Sequence, residues 1–107
     1  MDTIEISVQD TLALLNESPT TPLVDVREDF EREIVLLPNS LQLTEELAED
    51  MIKNWQRNQL IVFYCHHGWR SRSAAEYFLQ QGFTHVRNMT GGIDAWSRQI
   101  DPELPRY

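Results

Sequence analysis

The chain contains a single cysteine among its 107 residues. An internal disulfide and a Cys-x-x-Cys dithiol are therefore excluded, and nothing calls for an oxidising compartment. A metal site at the cysteine is a poor rival reading, because three consecutive residues rarely supply tetrahedral ligands and there is no second cysteine. No apolar run approaches the roughly 18 residues of a membrane span. The opening Met1-Asp2-Thr3-Ile4-Glu5 lacks the basic-then-apolar layout of a secretory leader, so a cytoplasmic location is expected. A basic surplus is missing too. Seventeen acids against nine Lys and Arg leave a net charge of -8 and a pI near 4.7. That balance argues against nucleic acid or an anionic membrane as partner. No repeat, low-complexity stretch or linker interrupts the chain, and its length allows one core. One domain over residues 1–107 is expected.

The charge is unevenly spread. Residues 1–58 carry 13 acids and 4 bases, whereas residues 59–107 carry 4 acids and 5 bases. The acids of the first half read as solvated helix faces, and the second half, which holds the cysteine, is the one that tolerates an anion.

Periodicity predicts alternating strands and helices. Short strands are expected at Ile4–Ser7, Leu23–Arg27, Ser40–Leu43, Leu60–Tyr64 and His85–Asn88. A helix capped by Ser7 buries Val8, Leu12 and Leu15, and ends at Ser18-Pro19. A short helix fits Asp29–Glu33. Thr44 caps the next, whose apolar face is Ala48, Ile52 and Trp55. Spacing predicts a helix over 71–81, pairing Ala74 with Phe78 and Ala75 with Leu79, with Gly82 suited to its end. Gly91-Gly92 opens a last helix through Trp96. Strands alternating with helices predict an α/β fold, a central parallel sheet of about five strands with helices on both faces.

The most informative stretch is Cys65-His66-His67-Gly68-Trp69-Arg70-Ser71. A lone cysteine at a strand end is ordinarily a small buried hydrophobe. Here it stands at the carboxyl end of a strand, in a short loop that feeds a helix, where α/β proteins place chemistry. A thiol acts as a nucleophile only when ionised, and a free one titrates near ~8.5. The helix N-terminus favours an anion, Arg70 adds a fixed positive charge, and His66 and His67 can donate hydrogen bonds. Gly68 permits positive φ, so that neighbouring N–H groups turn inward as an anion-binding nest. A tyrosine-phosphatase loop needs five residues between Cys and Arg. Only four separate Cys65 from Arg70, and position 71 is Ser71, so the loop encloses a smaller site, better matched to sulfur than to a phosphoryl group.

These residues resemble the rhodanese family, in particular its stand-alone single-domain sulfurtransferases. Leu23-Val24-Asp25-Val26-Arg27-Glu28 is similar to the family's Asp-Val-Arg-Glu signature at a strand end. Residues 65–71 match its Cys-x-x-Gly-x-Arg-Ser loop, and Thr90-Gly91-Gly92-Ile93-Asp94-Ala95-Trp96 matches its Gly-Gly-x-x-x-Trp element. Between them the usual Gly-His-Ile-Pro-Gly-Ala is replaced by Val35-Leu36-Leu37-Pro38-Asn39-Ser40, in which Asn39 tolerates the left-handed turn that glycine would make.

The resemblance implies a single rhodanese-like domain and a sulfurtransferase working through a Cys65 persulfide, with no metal or organic cofactor. The donor would be thiosulfate, a persulfide or a polysulfide. The acceptor would be cyanide, a thiol or a protein. It implies that Cys65 is the nucleophile and that Arg70 and the loop amides of residues 66–70 hold the anion. His66, His67 and Trp69 would then shape the entrance, and Gly68 would permit the turn. Ser71 begins the helix; Asp25 and Arg27 brace the loop. Two other readings stand beside it: a rhodanese-like binding or sulfur-sensing module, and a phosphatase or arsenate reductase.

Overall fold

The stretch from Ile61 to Tyr64 is buried along its whole length, as a strand covered on both faces must be. It forms β4 (Ile61–Tyr64) of a computed structural model that describes residues 4–107. Met1, Asp2 and Thr3, and with them the reading of a leader and the expected domain start, lie outside the described residues. The remaining elements follow in order: β1 (Glu5–Ile6), α1 (Val8–Glu17), β2 (Leu23–Asp25), α2 (Asp29–Ile34), β3 (Leu41–Gln42), α3 (Glu45–Asn54), α4 (Trp69–Gln80) after β4, β5 (Val86–Met89) and α5 (Gly92–Gln99).

The five strands pair in the order β1-β5-β4-β2-β3, all parallel. The chain winds one way from β2 to β3, then crosses back to β4 and on to β5. Such a reversal opens a crevice at the carboxyl ends of the central strands. Two cores flank the sheet. One joins Val8 of α1 with Ile93 and Trp96 of α5 over Val62, Tyr64 and Met89. The other joins Met51 of α3 with Ala75 and Phe78 of α4 over Val24, Ile61 and Phe63. The fold is thus the expected α/β sheet with helices on both faces.

Local signals explain the boundaries. Ser7 Oγ accepts from the Asp10 N–H, and Thr44 Oγ1 from the Leu47 N–H, so both expected caps are present. Asn39 takes φ 64°, the one positive φ outside glycine among the described residues, and keeps the turn after Pro38. Two expectations change. Leu79 is exposed, because the buried stripe of α4 runs through Ser71, Ala75 and Phe78. More importantly, α4 begins at Trp69 and not at Ser71. Gly68, at φ 105°, turns the chain early, and Ser71 becomes the third residue of the helix.

Candidate active site

That early start decides the chemistry. The first N–H groups of a helix have no intrahelical acceptor. With the helix starting at Trp69, the free Ser71 N–H points back at the strand end, where Cys65 waits. Cys65 Sγ accepts from the Gly68 N–H at 3.1 Å and the Ser71 N–H at 3.4 Å, and the Ser71 hydroxyl stands 3.3 Å away. Burial pushes the thiol up, but the Ser71 hydroxyl and the amides of Ser71, Gly68 and His67 outweigh it and hold Cys65 below its ordinary 9.0. The nest expected from Gly68 is built, and the Ser71 amide and hydroxyl join it.

The Ser71 hydroxyl also donates to Asn88 Oδ1 on β5, so its one proton is shared between an amide oxygen and the sulfur. Asn88 Nδ2 in turn donates to the Gly68 carbonyl at 3.1 Å. One buried amide therefore ties both ends of the turn to the sheet. Replacing Ser71 by alanine is expected to move the midpoint of Cys65 alkylation against pH upward. The thiolate loses a donor while burial still opposes it, so the rate at neutral pH falls. An unshifted iodoacetamide profile would remove Ser71 from the account.

The loop is also held from below. The Ile93 N–H donates to the Cys65 carbonyl at 2.9 Å and the Asp94 N–H to the His66 carbonyl at 3.1 Å. The N-terminus of α5 thus seats against the loop backbone, and Gly92, at φ 64°, lies where any Cβ would fall 2.4–2.5 Å from the carbonyls of Cys65 and His66. On the other side, Asp25 is paired in register with Tyr64. Its carboxylate accepts from Arg27 at 2.8 and 2.9 Å, from Arg32 at 2.6 Å and from the Tyr64 hydroxyl at 2.7 Å. Asp25 and Arg27 lie beside the strand that carries Cys65 and make no hydrogen bond to its sulfur.

Arg70 departs most from the sequence reading. Its guanidinium forks onto the Glu31 carboxylate, 2.8 and 2.9 Å away, and makes no hydrogen bond to Sγ. It is near enough for the sulfur's charge to favour the cation. Glu31 is fixed in its turn by the capping geometry of α2, where Oε1 accepts from the Glu28 N–H at 2.9 Å, and by the Tyr107 hydroxyl at 2.7 Å. The Arg70 fork, against the cost of burial, holds the Glu31 carboxyl down at about 2. A lowered acid adds stability that is complete above its ordinary 4.5 and lost as pH falls toward about 2. Glu31→Gln is therefore expected to flatten the loss of stability between those values. Urea midpoints against pH check this, and parallel curves for both proteins would contradict it.

His66 and His67 stack, ring centroids 3.9 Å apart. Burial, and then the neighbouring His67, pull His66 below its ordinary value, which favours the neutral ring. Trp69 is 80% exposed and lines, with His67, Gly68, Asn88 and Gly91, a cleft of about 340 Å³ beside the loop. Among the described residues, His66, His67 and Asp94 bring possible metal-ligand atoms within 4.8 Å of one another. Asp94 is already engaged by Arg98 at 3.1 Å and Arg106 at 2.9 Å.

Glu31, Asn88, Gly92 with the amides behind it, and Tyr107 complete the site, and the loop motif names none of them. The sequence does not single out Asn88, which follows Arg87 in a strand of mixed polarity. Gly92 stands in a motif already singled out.

Comparison with known proteins agrees with this geometry. The rhodanese-like domain family matches residues 7–99. A rhodanese-like domain protein from Staphylococcus aureus is 27% identical, with 98% of this chain and 99% of that one covered and a TM-score of 0.77. A Rhodopseudomonas palustris protein described as a possible tyrosine phosphatase is 26% identical, with 100% and 85% covered and a TM-score of 0.74. The human single-domain sulfurtransferase TSTD1 shares the fold at 22% identity and TM-score 0.73, with 92% of this chain and 98% of that one covered. The sheet order, the cysteine loop and the family match agree: this chain belongs to the rhodanese-like domain family.

Proposed function

We propose that the protein is a sulfurtransferase, a single domain over residues 1–107 acting in the cytoplasm, that carries sulfane sulfur on Cys65. The observation that supports this most is the cradle itself. Sγ is ringed by the Gly68 and Ser71 amides and the Ser71 hydroxyl, while the nearest guanidinium, Arg70, is tied outward to Glu31. A cradle of amides without an inward arginine suits one sulfur anion. A transferring phosphoryl group carries more charge and draws on cationic clamps.

In the first step the Cys65 thiolate attacks the outer sulfur of thiosulfate or of a small persulfide. A new S–S bond forms, the donor's own S–S bond breaks, and sulfite or a thiolate leaves with the electron pair. In the second, cyanide or a thiol attacks the outer sulfur, and Cys65 thiolate departs. Two easier displacements replace one difficult transfer. Electrons balance across the pair of steps without metal or organic cofactor. His66, His67 and Trp69 border the entrance, Gly68 and Ser71 hold the anion, and Arg70 contributes a positive field from its place on Glu31. Asp25 and Arg27 brace the loop.

The reading is tested by assaying one preparation for thiocyanate formation from thiosulfate and cyanide, and for hydrolysis of an aryl phosphate. Cys65-dependent thiocyanate without phosphate release supports it. Cys65-dependent phosphate release without thiocyanate overturns it in favour of phosphatase chemistry.

A further inference from the structure

The segment after α5 folds back onto the active loop. The Asp101 N–H donates to the Trp96 carbonyl at 2.9 Å, Leu104 packs against the core that α1 and α5 share, and Arg106 Nε reaches Asp94 at 2.9 Å. Tyr107 then arrives at the loop. Its ring lies on that of His66, with centroids 3.8 Å apart and planes 7° apart. His67 stacks on His66 as well, and two rings cannot share one face, so both faces of His66 are covered. Buried between them, His66 Nε2 has no hydrogen-bond partner, so that end of the ring is held by stacking.

The Tyr107 hydroxyl donates to Glu31 at 2.7 Å and accepts from Arg27 at 3.0 Å. Glu31 is the residue that grips Arg70. One side chain therefore touches His66, the residue after Cys65, directly and Arg70 of α4 through a carboxylate. Cys65 is 1% exposed, whereas Tyr107 is 38% exposed. The segment is held at Tyr107 by the His66 stack, the Arg27 guanidinium over its ring and two hydroxyl hydrogen bonds, and such contacts at a part-exposed residue open more easily than the buried core.

We propose that Tyr107 is a specificity-determining residue at the entrance to Cys65: in its stacked position it admits small sulfur anions, and bulky donors require it to swing away. The substrate side of this inference rests on the sulfurtransferase reading, whereas the access side does not. Cys65 is the only thiol in the chain, so every thiol label reports on it alone.

The test compares wild type, Tyr107→Ala and Tyr107→Phe in alkylation by iodoacetamide and by a fluorescein-bearing maleimide, and in sulfur transfer from thiosulfate and from glutathione persulfide. For Tyr107→Ala the maleimide-to-iodoacetamide rate ratio is expected to rise about tenfold, a usual size for a steric discrimination. The KM for glutathione persulfide should fall relative to that for thiosulfate. Tyr107→Phe keeps the ring stack and loses only the hydroxyl, so its ratio should stay within about twofold of wild type. An unchanged ratio in Tyr107→Ala, or an equal rise for both labels, overturns the proposal. If the label ratio moves as expected while wild type transfers no sulfur, the entrance role stands and the sulfurtransferase reading falls.

Discussion

Cys65→Ser is expected to lose sulfur transfer entirely while keeping the fold. Removing a covalent nucleophile costs on the order of 10⁴-fold or more in turnover, because the remaining groups have no sulfur to act upon. The hydroxyl that replaces the thiol is smaller, and at neutral pH it does not ionise. The Gly68 and Ser71 amides can still donate to it, so no buried donor is stranded. The expected result is background thiocyanate formation and a melting temperature within a few degrees of wild type. Residual transfer above background would mean that sulfur passes without a Cys65 persulfide. A collapsed melting curve would mean that the cysteine is chiefly a core residue.

Gly92→Ala is expected to be the most damaging single-methyl change in the protein. Two costs add. Holding alanine at φ 64° costs roughly 1–2 kcal/mol. The new Cβ would also meet the carbonyls of Cys65 and His66 at 2.4–2.5 Å, and backbone there cannot rotate away as a side chain would. Overpacking of this kind costs about 1–3 kcal/mol. Against a usual total of about 5–15 kcal/mol the protein still folds, with a large part of its stability gone. To relieve the clash the loop must lift from the Ile93 and Asp94 amides, which misplaces the sulfur cradle. Stability and Cys65 reactivity should therefore fall together. Full activity in Gly92→Ala would show that α5 merely covers the loop and does not seat it.

The parts of this site that could be read in the sequence are those carried by neighbouring residues. Leu60-Ile61-Val62-Phe63-Tyr64 reads as a buried strand, and a glycine three residues past Cys65 announces the turn. The partners that hold the loop come from elsewhere in the chain. Arg70 was expected at the anion because it is close to Cys65 in sequence. Its direction is set by Glu31, 39 residues earlier, which a helix cap and the Tyr107 hydroxyl already hold in place. The α4 start was placed late because Trp69 and Arg70 read as loop residues. The turn at Gly68 could be read, but that it starts the helix at Trp69 shows only in the backbone. Tyr107 gave no signal, since a tyrosine after two prolines reads as a solvated tail. Its meaning comes from the stack on His66.

The most direct test of the central claim is the intact mass of the protein after incubation with thiosulfate and, separately, with glutathione persulfide, alongside Cys65→Ser. The account predicts one added sulfur atom on wild type, located on Cys65, absent from the variant and removed by cyanide as thiocyanate. No adduct from either donor on a folded wild-type protein would contradict it, and would leave the amide cradle around Cys65 as part of a binding module.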